Sequence, residues 1–291
     1  MSAVAALPGR LLASSRPLSW VNTAYPFAAA YLLTAGRIDV TAVVGTLFFL
    51  IPYNLAMYGI NDVFDYESDL RNSRKGGVEG AVLDPSVHRA TLWASALLCL
   101  PFVVSLYAVS DPVAALVLTV SLFAVVAYSA PRLRFKERAF VDSLTSSTHF
   151  VSPAVFGLTV AHATWTPSLV ALMAAFFCWG VASQAFGAVQ DIGPDREAGL
   201  GSVATVIGAR STVWFAAAVY GLAGVLLLVT AWPGPLAALL AVPYAVNVLR
   251  FRSVTDATAE RTNAGWRTFL WLNYVTGFLV TLLLIWWATT R

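Results

Sequence analysis

The chain has 291 residues, of which 58% are hydrophobic and only 11% are charged, and its mean hydropathy is +0.73. So little polar surface cannot coat a soluble globule, and the composition therefore predicts an integral membrane protein. The net charge of +3 is small and excludes the clustered basic face with which soluble domains bind nucleic acid. Cys99 and Cys178 lie inside apolar segments at no metal-binding or redox spacing, so we interpret both as buried small residues.

The apolar segments predict the fold. Residues 1–16 contain no hydrophobic region followed by a cleavage site, so no removable signal peptide is expected. Segments of about the 20 residues that a bilayer helix needs then recur along the chain. They lie at about residues 18–35, 38–59, 90–109, 112–130, 140–161, 167–189, 212–232, 235–251 and 267–288. The predicted fold class is all-α, a polytopic membrane bundle of about nine transmembrane helices around a central cavity, forming a single domain over residues 1–291.

The second apolar segment ends abruptly in acidic and then basic residues, between Tyr58 and Lys75. If the helix continues, Asp62, Asp65 and Asp69 lie at i, i+3 and i+7 and share one face. Stacked carboxylates repel one another unless a cation lies among them. Polar residues on the same face run back into the apolar segment: Asn61, Tyr58 and Asn54. This first motif therefore predicts a metal site at the mouth of a membrane cavity.

A second acidic motif stands at the end of the sixth apolar segment. There Asp191 and Asp195 are four residues apart, a helical spacing that gives both carboxylates one face. On its own, such a pair is more often a solvated helix cap. Together with the first motif, it predicts two acidic clusters that can face one another across a helical bundle.

The positions of lysine and arginine predict the orientation. With nine spans and a cytoplasmic N-terminus, only Arg37 and Arg291 fall on the outer side, and cytoplasmic loops of membrane proteins collect these residues. With one span fewer, the lysines and arginines after that point would no longer be concentrated on one side of the membrane. We therefore expect a protein of the cell (plasma) membrane whose N-terminus and two acidic motifs are cytoplasmic.

Two opposed acidic clusters suit cation-mediated binding of a polyanion. Mg²⁺ prefers oxygen ligands and is usually held by one or two carboxylates plus substrate phosphates, so two clusters can hold two ions around one diphosphate. The predicted ligands are Asp62, Asp65, Asp69, Asp191 and Asp195. Nearby basic residues would complete the neutralisation, since arginine contacts phosphate bidentately and lysine supplies a point charge. The candidates are Arg71, Arg74, Lys75, Arg132, Arg134, Lys136, Arg138 and Arg196, although the orientation rule places basic residues there in any case.

These motifs resemble those of the UbiA-type intramembrane prenyltransferases. The resemblance covers nearly the whole chain and is carried by Asn61-Asp62-x-x-Asp65-x-x-x-Asp69, Asp191-x-x-x-Asp195, Arg16-Pro17 and the stretch from Tyr128 to Lys136. One departure is Ala188, where some relatives carry a further aspartate three residues before the second pair. The sequence from Gly59 to Gly77 is most similar to that of the carotenoid branch, the lycopene elongases that add five-carbon prenyl units to lycopene.

The resemblance implies Mg²⁺-dependent transfer of a prenyl group, dimethylallyl in the carotenoid branch, from an allylic diphosphate to a lipophilic acceptor. The acceptor implied is the end of lycopene, in C50-type carotenoid biosynthesis. The five aspartates would be catalytic metal ligands. The diphosphate would contact Asn61, Arg71, Arg74, Lys75, Arg132, Lys136, Arg196 and Tyr128. The allylic cation must then be kept from water, and aromatic faces can stabilise it by roughly 0.5–2 kcal/mol each.

Polar residues inside the apolar segments are candidates for function because they are costly in a bilayer, although they also form ordinary hydrogen bonds between helices. The predicted cavity residues are Asn22, Asn54, Tyr58, Gln184 and His149. Gln184 precedes Asp191 by seven residues, and Asn54 precedes Asn61 by seven, so each pair shares a helix face. His149 either accepts the proton lost after coupling or makes an interhelical hydrogen bond.

Two alternatives stay open. The acceptor can instead be an aromatic quinone precursor or another isoprenoid, in which case extra cationic or hydrogen-bonding groups would be expected in the cavity. The other alternative, from a different class, is a cation or lipid transporter that uses the aspartates as a transit site. Both motifs open to the same side, which suits catalysis better than alternating access.

Overall fold

A computed structural model of the protein describes residues 7–70 and 82–290, and of Ser68 and Asp69 it describes the backbone alone. Throughout these ranges the regular structure is helical, without a β-strand, which confirms the predicted all-α class. Contacts divide the chain into two compact units. The first comprises Met1–Phe135 and His149–Ala163, and the second comprises Lys136–Thr148 and Thr164–Arg291.

The first unit is built from the N-terminal helices. They are α1 (Leu7–Ser14), α2 (Val21–Ala35), α3 (Val40–Leu50), α4 (Pro52–Phe64), α5 (Tyr66–Asp69), α6 (Pro85–Val109), α7 (Pro112–Ser129) and the second half of α8 (Val141–Val160). An aromatic core holds them together around the fully buried ring of Phe27, which lies 5.2 Å from the ring of Phe49 and 5.9 Å from that of Phe156. A Cβ on Gly157 would lie 2.8 Å from the carbonyl oxygen of Phe27. The close approach of α8 to α2 therefore requires glycine at position 157.

The second predicted apolar segment is not one helix, because it breaks between α3 and α4. Proline at the first position of α4 lacks an N–H, and the preceding Ile51 departs from helical geometry at φ −116° and ψ −61°. Asn54 Nδ2 donates to the carbonyls of Phe49 and Leu50 at 2.8 and 3.1 Å and to Thr23 Oγ1 at 2.7 Å. A bilayer offers no water for such carbonyls. Asn54 is thus fully buried at a helix break, and its place as a cavity-lining residue stays a prediction.

The second unit contains the first half of α8 and the C-terminal helices. They are α9 (Pro167–Val189), α10 (Ile192–Glu197), α11 (Val203–Ile207), α12 (Ala209–Leu228), α13 (Ala241–Leu249) and α14 (Asn263–Thr289), with 3₁₀ helices at Gly234–Leu240 and Asp256–Thr262. Buried alanines, among them Ala182, Ala185 and Ala216, lie along α9 and α12. Small side chains let membrane helices approach closely. The hydroxyls of Ser183 and Tyr220 then join α9 to α12 at 2.9 Å.

Helical segments coincide with each of the nine predicted apolar segments in the described ranges, but they are not equally suited to a membrane. Six are long and apolar enough to cross it: Val40–Phe64, Pro85–Val109, Pro112–Ser129, Pro167–Val189, Ala209–Leu228 and Asp256–Thr289. Of the others, α2 has 15 residues, α8 carries a polar run before His149, and Gly234–Leu249 is short. The predicted count of about nine is therefore approximate. Exposed apolar side chains such as Trp271 and Phe278 fit a lipid-facing surface.

Candidate active site

The first acidic motif lies where α4 ends. Asp65 is the C-terminal cap of α4, at φ −100° and ψ 0°, and its backbone N–H donates to the Asn61 carbonyl at 2.9 Å. The chain then begins α5 at Tyr66. The prediction of one uninterrupted helix through all three aspartates is therefore wrong at Asp65. Asp69 ends α5, and its side chain lies outside the described part of the structure.

Asp62 is held by the N-terminal region. Its side chain is buried, with the residue 1% exposed, and its two oxygens accept hydrogen bonds from Arg16 Nη2 at 2.9 Å and from Ser14 Oγ at 2.8 Å. The Arg16 guanidinium also lies over the ring of Tyr58, 4.1 Å from its centroid. Tyr58 is one of the predicted cavity residues, whereas Arg16 was predicted only as part of the Arg16-Pro17 family motif. The feature of the sequence that could have predicted this ion pair is an arginine directly before an apolar segment.

Asp65 is held by a different part of the same unit. It is 4% exposed and accepts a hydrogen bond from Asn61 Nδ2, which also lies 3.0 Å from Ser129 Oγ at the end of α7. Arg134 Nη2 is 3.9 Å from Asp65 Oδ1. Arg134 has a left-handed backbone, with φ 41°. The stretch from Tyr128 to Lys136 therefore reaches the first motif through Ser129 and Arg134.

Tyr128 and His149 form the aromatic part of the first unit's polar interior. Their rings meet edge to face with centroids 5.2 Å apart, and His149 is 3% exposed. His149 Nε2 is buried without a hydrogen-bond partner among the described residues. A neutral ring protonated at Nδ1 has its lone pair at Nε2.

The second motif lies between α9 and α10 in the second unit. Asp191 is the N-terminal cap residue of α10, and Asp195 is inside this short helix, with both residues half-buried. Arg196 donates to Asp256 at 2.7 Å and to the Thr205 carbonyl at 2.9 Å. The predicted diphosphate contact of Arg196 would therefore compete with this ion pair. Gln184 accepts a hydrogen bond from Ser146 Oγ at 3.0 Å.

The remaining predicted residues fall into two groups. Asn22 is exposed in the first turn of α2, whereas Arg132 and Lys136 lie in the turn after α7 and in the 3₁₀ helix Phe135–Glu137. The other group lies outside the described residues: Arg71, Arg74 and Lys75. Nothing structural is therefore added to the prediction for that basic segment.

The donors of the first motif fit a hard cation. Within the described part of the chain, three or more His, Cys, Asp or Glu side chains do not come together, and the side chain of Asp69 is outside that search. The donors that are present are carboxylate and amide oxygens, the ligand type that Mg²⁺ prefers. Each carboxylate oxygen has lone pairs beyond the hydrogen bonds described. Asp62 and Asp65 therefore suit magnesium chemically, with Arg16 and Arg134 balancing their charge.

Fold and motifs together define a class of helical membrane proteins that carry aspartates at the ends of their helices. The chain belongs to the UbiA prenyltransferase family, whose family model matches residues 23–275. This membership confirms the enzyme class predicted from the motifs.

Two relatives and one solved structure locate the chain within that family. It is 55% identical over 277 residues to the lycopene elongase/hydratase of Corynebacterium glutamicum, covering 94% of this chain and 96% of that protein. It is 60% identical over 274 residues to the C(50) beta-cyclic carotenoids biosynthesis protein LbtBC of Dietzia sp. (strain CQ4), covering 94% of this chain but 63% of that longer protein. A UbiA homologue from Archaeoglobus fulgidus, solved with DMAPP and Mg²⁺, shares the fold with a TM-score of 0.66 at 17% identity, covering 92% and 98% of the two chains.

The buried ion pair of Arg16 should matter for stability. Replacing Arg16 with Gln leaves the buried Asp62 carboxylate without its cation, and breaking such a pair costs up to about 3 kcal/mol when one partner keeps some solvent contact. We expect the melting temperature of the detergent-purified protein to fall by several degrees. The control is Arg37→Gln, because the Arg37–Asp39 pair is exposed and solvent screening leaves such pairs little effect on stability. Equal losses in both variants would contradict the assignment of a stabilising role to the Arg16 pair.

Proposed function

We propose that the chain transfers a dimethylallyl group from its diphosphate to the end of lycopene, on the way to C50-type carotenoids. The observation that carries this proposal is the burial of Asp62 and Asp65 beside arginines at the end of an apolar helix. Carboxylates in such a place suit a metal-bound, multiply charged ligand that arrives at a membrane. The names of the two carotenoid relatives support lycopene as the acceptor, because identity at this level extends over nearly all of this chain.

The proposed metal ligands are the aspartates of both motifs: Asp62, Asp65, Asp69, Asp191 and Asp195. Magnesium bound there would neutralise the diphosphate and stabilise it as a leaving group, and we propose two ions. Around it, the proposed contacts of the diphosphate are Asn61, Tyr128 and the basic residues Arg71, Arg74, Lys75, Arg132, Lys136 and Arg196. We add Arg134 to this set, since its guanidinium lies 3.9 Å from Asp65 Oδ1. Both motifs would serve one reaction step, so residues 1–291 would act as one catalytic domain.

The rest of the first unit would protect and quench the cation. Once the carbon–oxygen bond to diphosphate breaks, an alkene carbon of the acceptor bonds to the allylic carbon, and a positive charge remains on the acceptor. Apolar walls would exclude water, and the faces of Tyr58 and Tyr128 would stabilise positive charge. We assign the final proton transfer to His149, whose Nε2 lone pair takes the proton from the carbon next to the cation and leaves a double bond. If water adds first, the same nitrogen takes a proton from that water, and the product is an alcohol.

The experiment that tests this function is an incubation of membranes containing the chain with lycopene, dimethylallyl diphosphate and Mg²⁺, followed by product mass. One or two added five-carbon units are expected, and an alcohol is recognised because it is heavier by one water. Unchanged lycopene together with consumption of an aromatic acceptor would establish the quinone-precursor alternative instead. Membranes that lack the chain are the control.

Metal removal gives a separate prediction. Because carboxylates and a diphosphate repel one another without a cation between them, we expect excess EDTA to abolish turnover in the same membranes. Mg²⁺ added above the chelator concentration should restore it, which distinguishes metal loss from denaturation. Full activity in excess EDTA would rule out the proposed role of the aspartates.

The proposed location is the cell (plasma) membrane, with the N-terminus and both motifs cytoplasmic. The partition of lysine and arginine along the sequence supports this orientation. In that arrangement the charged donor would arrive from the cytoplasm, while the acceptor would enter from the lipid.

A further inference from the structure

The turn between α13 and α14 carries a pocket that the reaction does not use. Its volume is about 260 Å³, and its lining combines two guanidiniums, two hydroxyls and two apolar side chains. The lining residues are Arg250, Phe251, Ser253, Val254, Thr258 and Arg261. All of them belong to the second unit. Such a lining offers hydrogen-bond donors with positive charge above an apolar floor.

The two arginines of this pocket differ from others in the protein. Arg16 and Arg196 hold Asp62 and Asp256 at 2.9 and 2.7 Å. In the described ranges, by contrast, neither Arg250 nor Arg261 forms an ion pair, and the Arg250 guanidinium lies over the ring of its neighbour Phe251, 6.0 Å from the centroid. Two guanidiniums at one pocket repel each other. An anion bound between them would remove that repulsion.

The acidic residues close to the pocket do not supply that anion. Asp256 is occupied, since it accepts hydrogen bonds from the Ala209 N–H at 2.7 Å and from Arg196 at 2.7 Å. Glu260 is exposed and does not line the pocket. Within the described part of the chain, no carboxylate therefore neutralises these two exposed guanidiniums, which leaves them available to an anionic ligand.

The walls of the pocket are held in place by the fold. The bonds of Asp256 tie the 3₁₀ helix Asp256–Thr262 to α10 and to the start of α12. On the other wall, the ring of Phe251 packs against Phe186 with centroids 5.9 Å apart. A Cβ on Gly265 would lie 2.5 Å from that Phe251 ring, so α14, the helix after the pocket, packs tightly against Phe251. A site anchored at both walls costs little ordering entropy when a ligand binds.

The position of the pocket indicates which class of ligand it can bind. The apolar segment Gly234–Leu249 ends just before it, and the candidate span Asp256–Thr289 begins within it. The pocket thus lies at one end of two membrane segments, where lipid headgroups are. Arginine forks match phosphate oxygens bidentately, and the hydroxyl of Ser253 can donate to the same group. The hydroxyl of Thr258 already donates to the Thr255 carbonyl at 3.3 Å.

We infer that this pocket binds a phosphate group, presented either by an anionic membrane lipid or by free diphosphate. In the first case it anchors the turn between α13 and α14 to the headgroup layer, with Phe251 and Val254 under the lipid backbone. In the second case it holds a soluble anion near α10, the helix that carries Asp195. Arg196 of α10 forms an ion pair with Asp256, which belongs to the wall of the pocket.

The test is thermal unfolding of the full chain in detergent with EDTA, so that the aspartate motifs do not bind diphosphate through a metal. The probes are phosphatidylglycerol, phosphatidylcholine and inorganic diphosphate. The variant is Arg250→Gln with Arg261→Gln. The matched control is Arg252→Gln, since Arg252 is an exposed arginine of the same turn that does not line the pocket.

Phosphatidylglycerol should raise the melting temperature of wild type and of the control, and at least about tenfold more of it should be needed for the double variant. A shift with phosphatidylglycerol alone identifies a lipid headgroup, whereas a comparable shift with diphosphate identifies a soluble anion. If the double variant does not fold, each single Arg→Gln variant must show the weaker response. Equal responses in wild type and variants, or no shift with either anion, would overturn the inference.

Discussion

Replacing Asp65 with Asn is expected to lower the rate of prenyl transfer by at least about 100-fold, since even residues behind metal ligands contribute 10–100-fold. The substitution keeps the shape of the side chain but removes the charge that would hold a cation. The fold should survive, because the backbone N–H of Asp65, not its side chain, closes the end of α4. Arg134 would lose a partner at 3.9 Å but is partly exposed, so its charge stays solvated. Turnover with lycopene and dimethylallyl diphosphate, beside the melting temperature, measures both effects.

A matched aspartate provides the control for that experiment. Asp84 caps the N-terminus of α6, and donation from the hydroxyl and backbone N–H of Ser86 holds the pKa of Asp84 below its ordinary value. Asn caps helices about as well as Asp, so Asp84→Asn should retain both rate and stability. An Asp65→Asn protein that turned over prenyl diphosphate as fast as Asp84→Asn would remove the first motif from the mechanism.

The second large effect concerns the two motifs in combination. We expect Asp65→Asn and Asp191→Asn each to lose at least about 100-fold, because under the proposed mechanism each removes a charge that would hold the metal ions of the same departing diphosphate. The double variant should lose no more than about tenfold beyond the worse single variant, since residues that act as a unit are strongly non-additive. Single-turnover assays with labelled donor over long incubations give the sensitivity that such a comparison needs.

The opposite result has a clear meaning. If the two losses multiply, the motifs contribute independently, as they would in separate steps. If the second motif is instead only a solvated cap of α10, Asp191→Asn alone should cost little activity, because Asn caps helices about as well as Asp. Asp195→Asn, measured in the same assay, shows whether one or both aspartates of the pair participate.

The sequence predicted those features that depend on local composition. Apolar segments must be helical in a bilayer, because lipid leaves no other partner for the backbone, and the all-α class followed from that. The acidic motifs could be recognised because charge at the end of an apolar segment is rare and costly. Their spacing identified the family.

Other features needed a partner far away in the chain. Pro52 is visible in the sequence, but the hydrogen bonds that make the break before it tolerable come from Asn54 and from Thr23 on another helix. The interruption at Asp65 has no glycine or proline to mark it. The role of Asn54 at this break could therefore not be predicted from its seven-residue spacing to Asn61.

The division between what local sequence predicts and what needs the tertiary structure is clearest for the pairing of charged residues. By itself the sequence determined that this is a helical membrane protein of the UbiA family with two aspartate motifs, because hydrophobic length and motif spacing are local properties. Only the tertiary structure decided that Arg16 holds Asp62 across 46 residues and that Arg196 holds Asp256 across 60. Which opposite charges lie close together depends on the path of the whole chain. A buried charge is stabilised by whichever oppositely charged side chain that path brings near it.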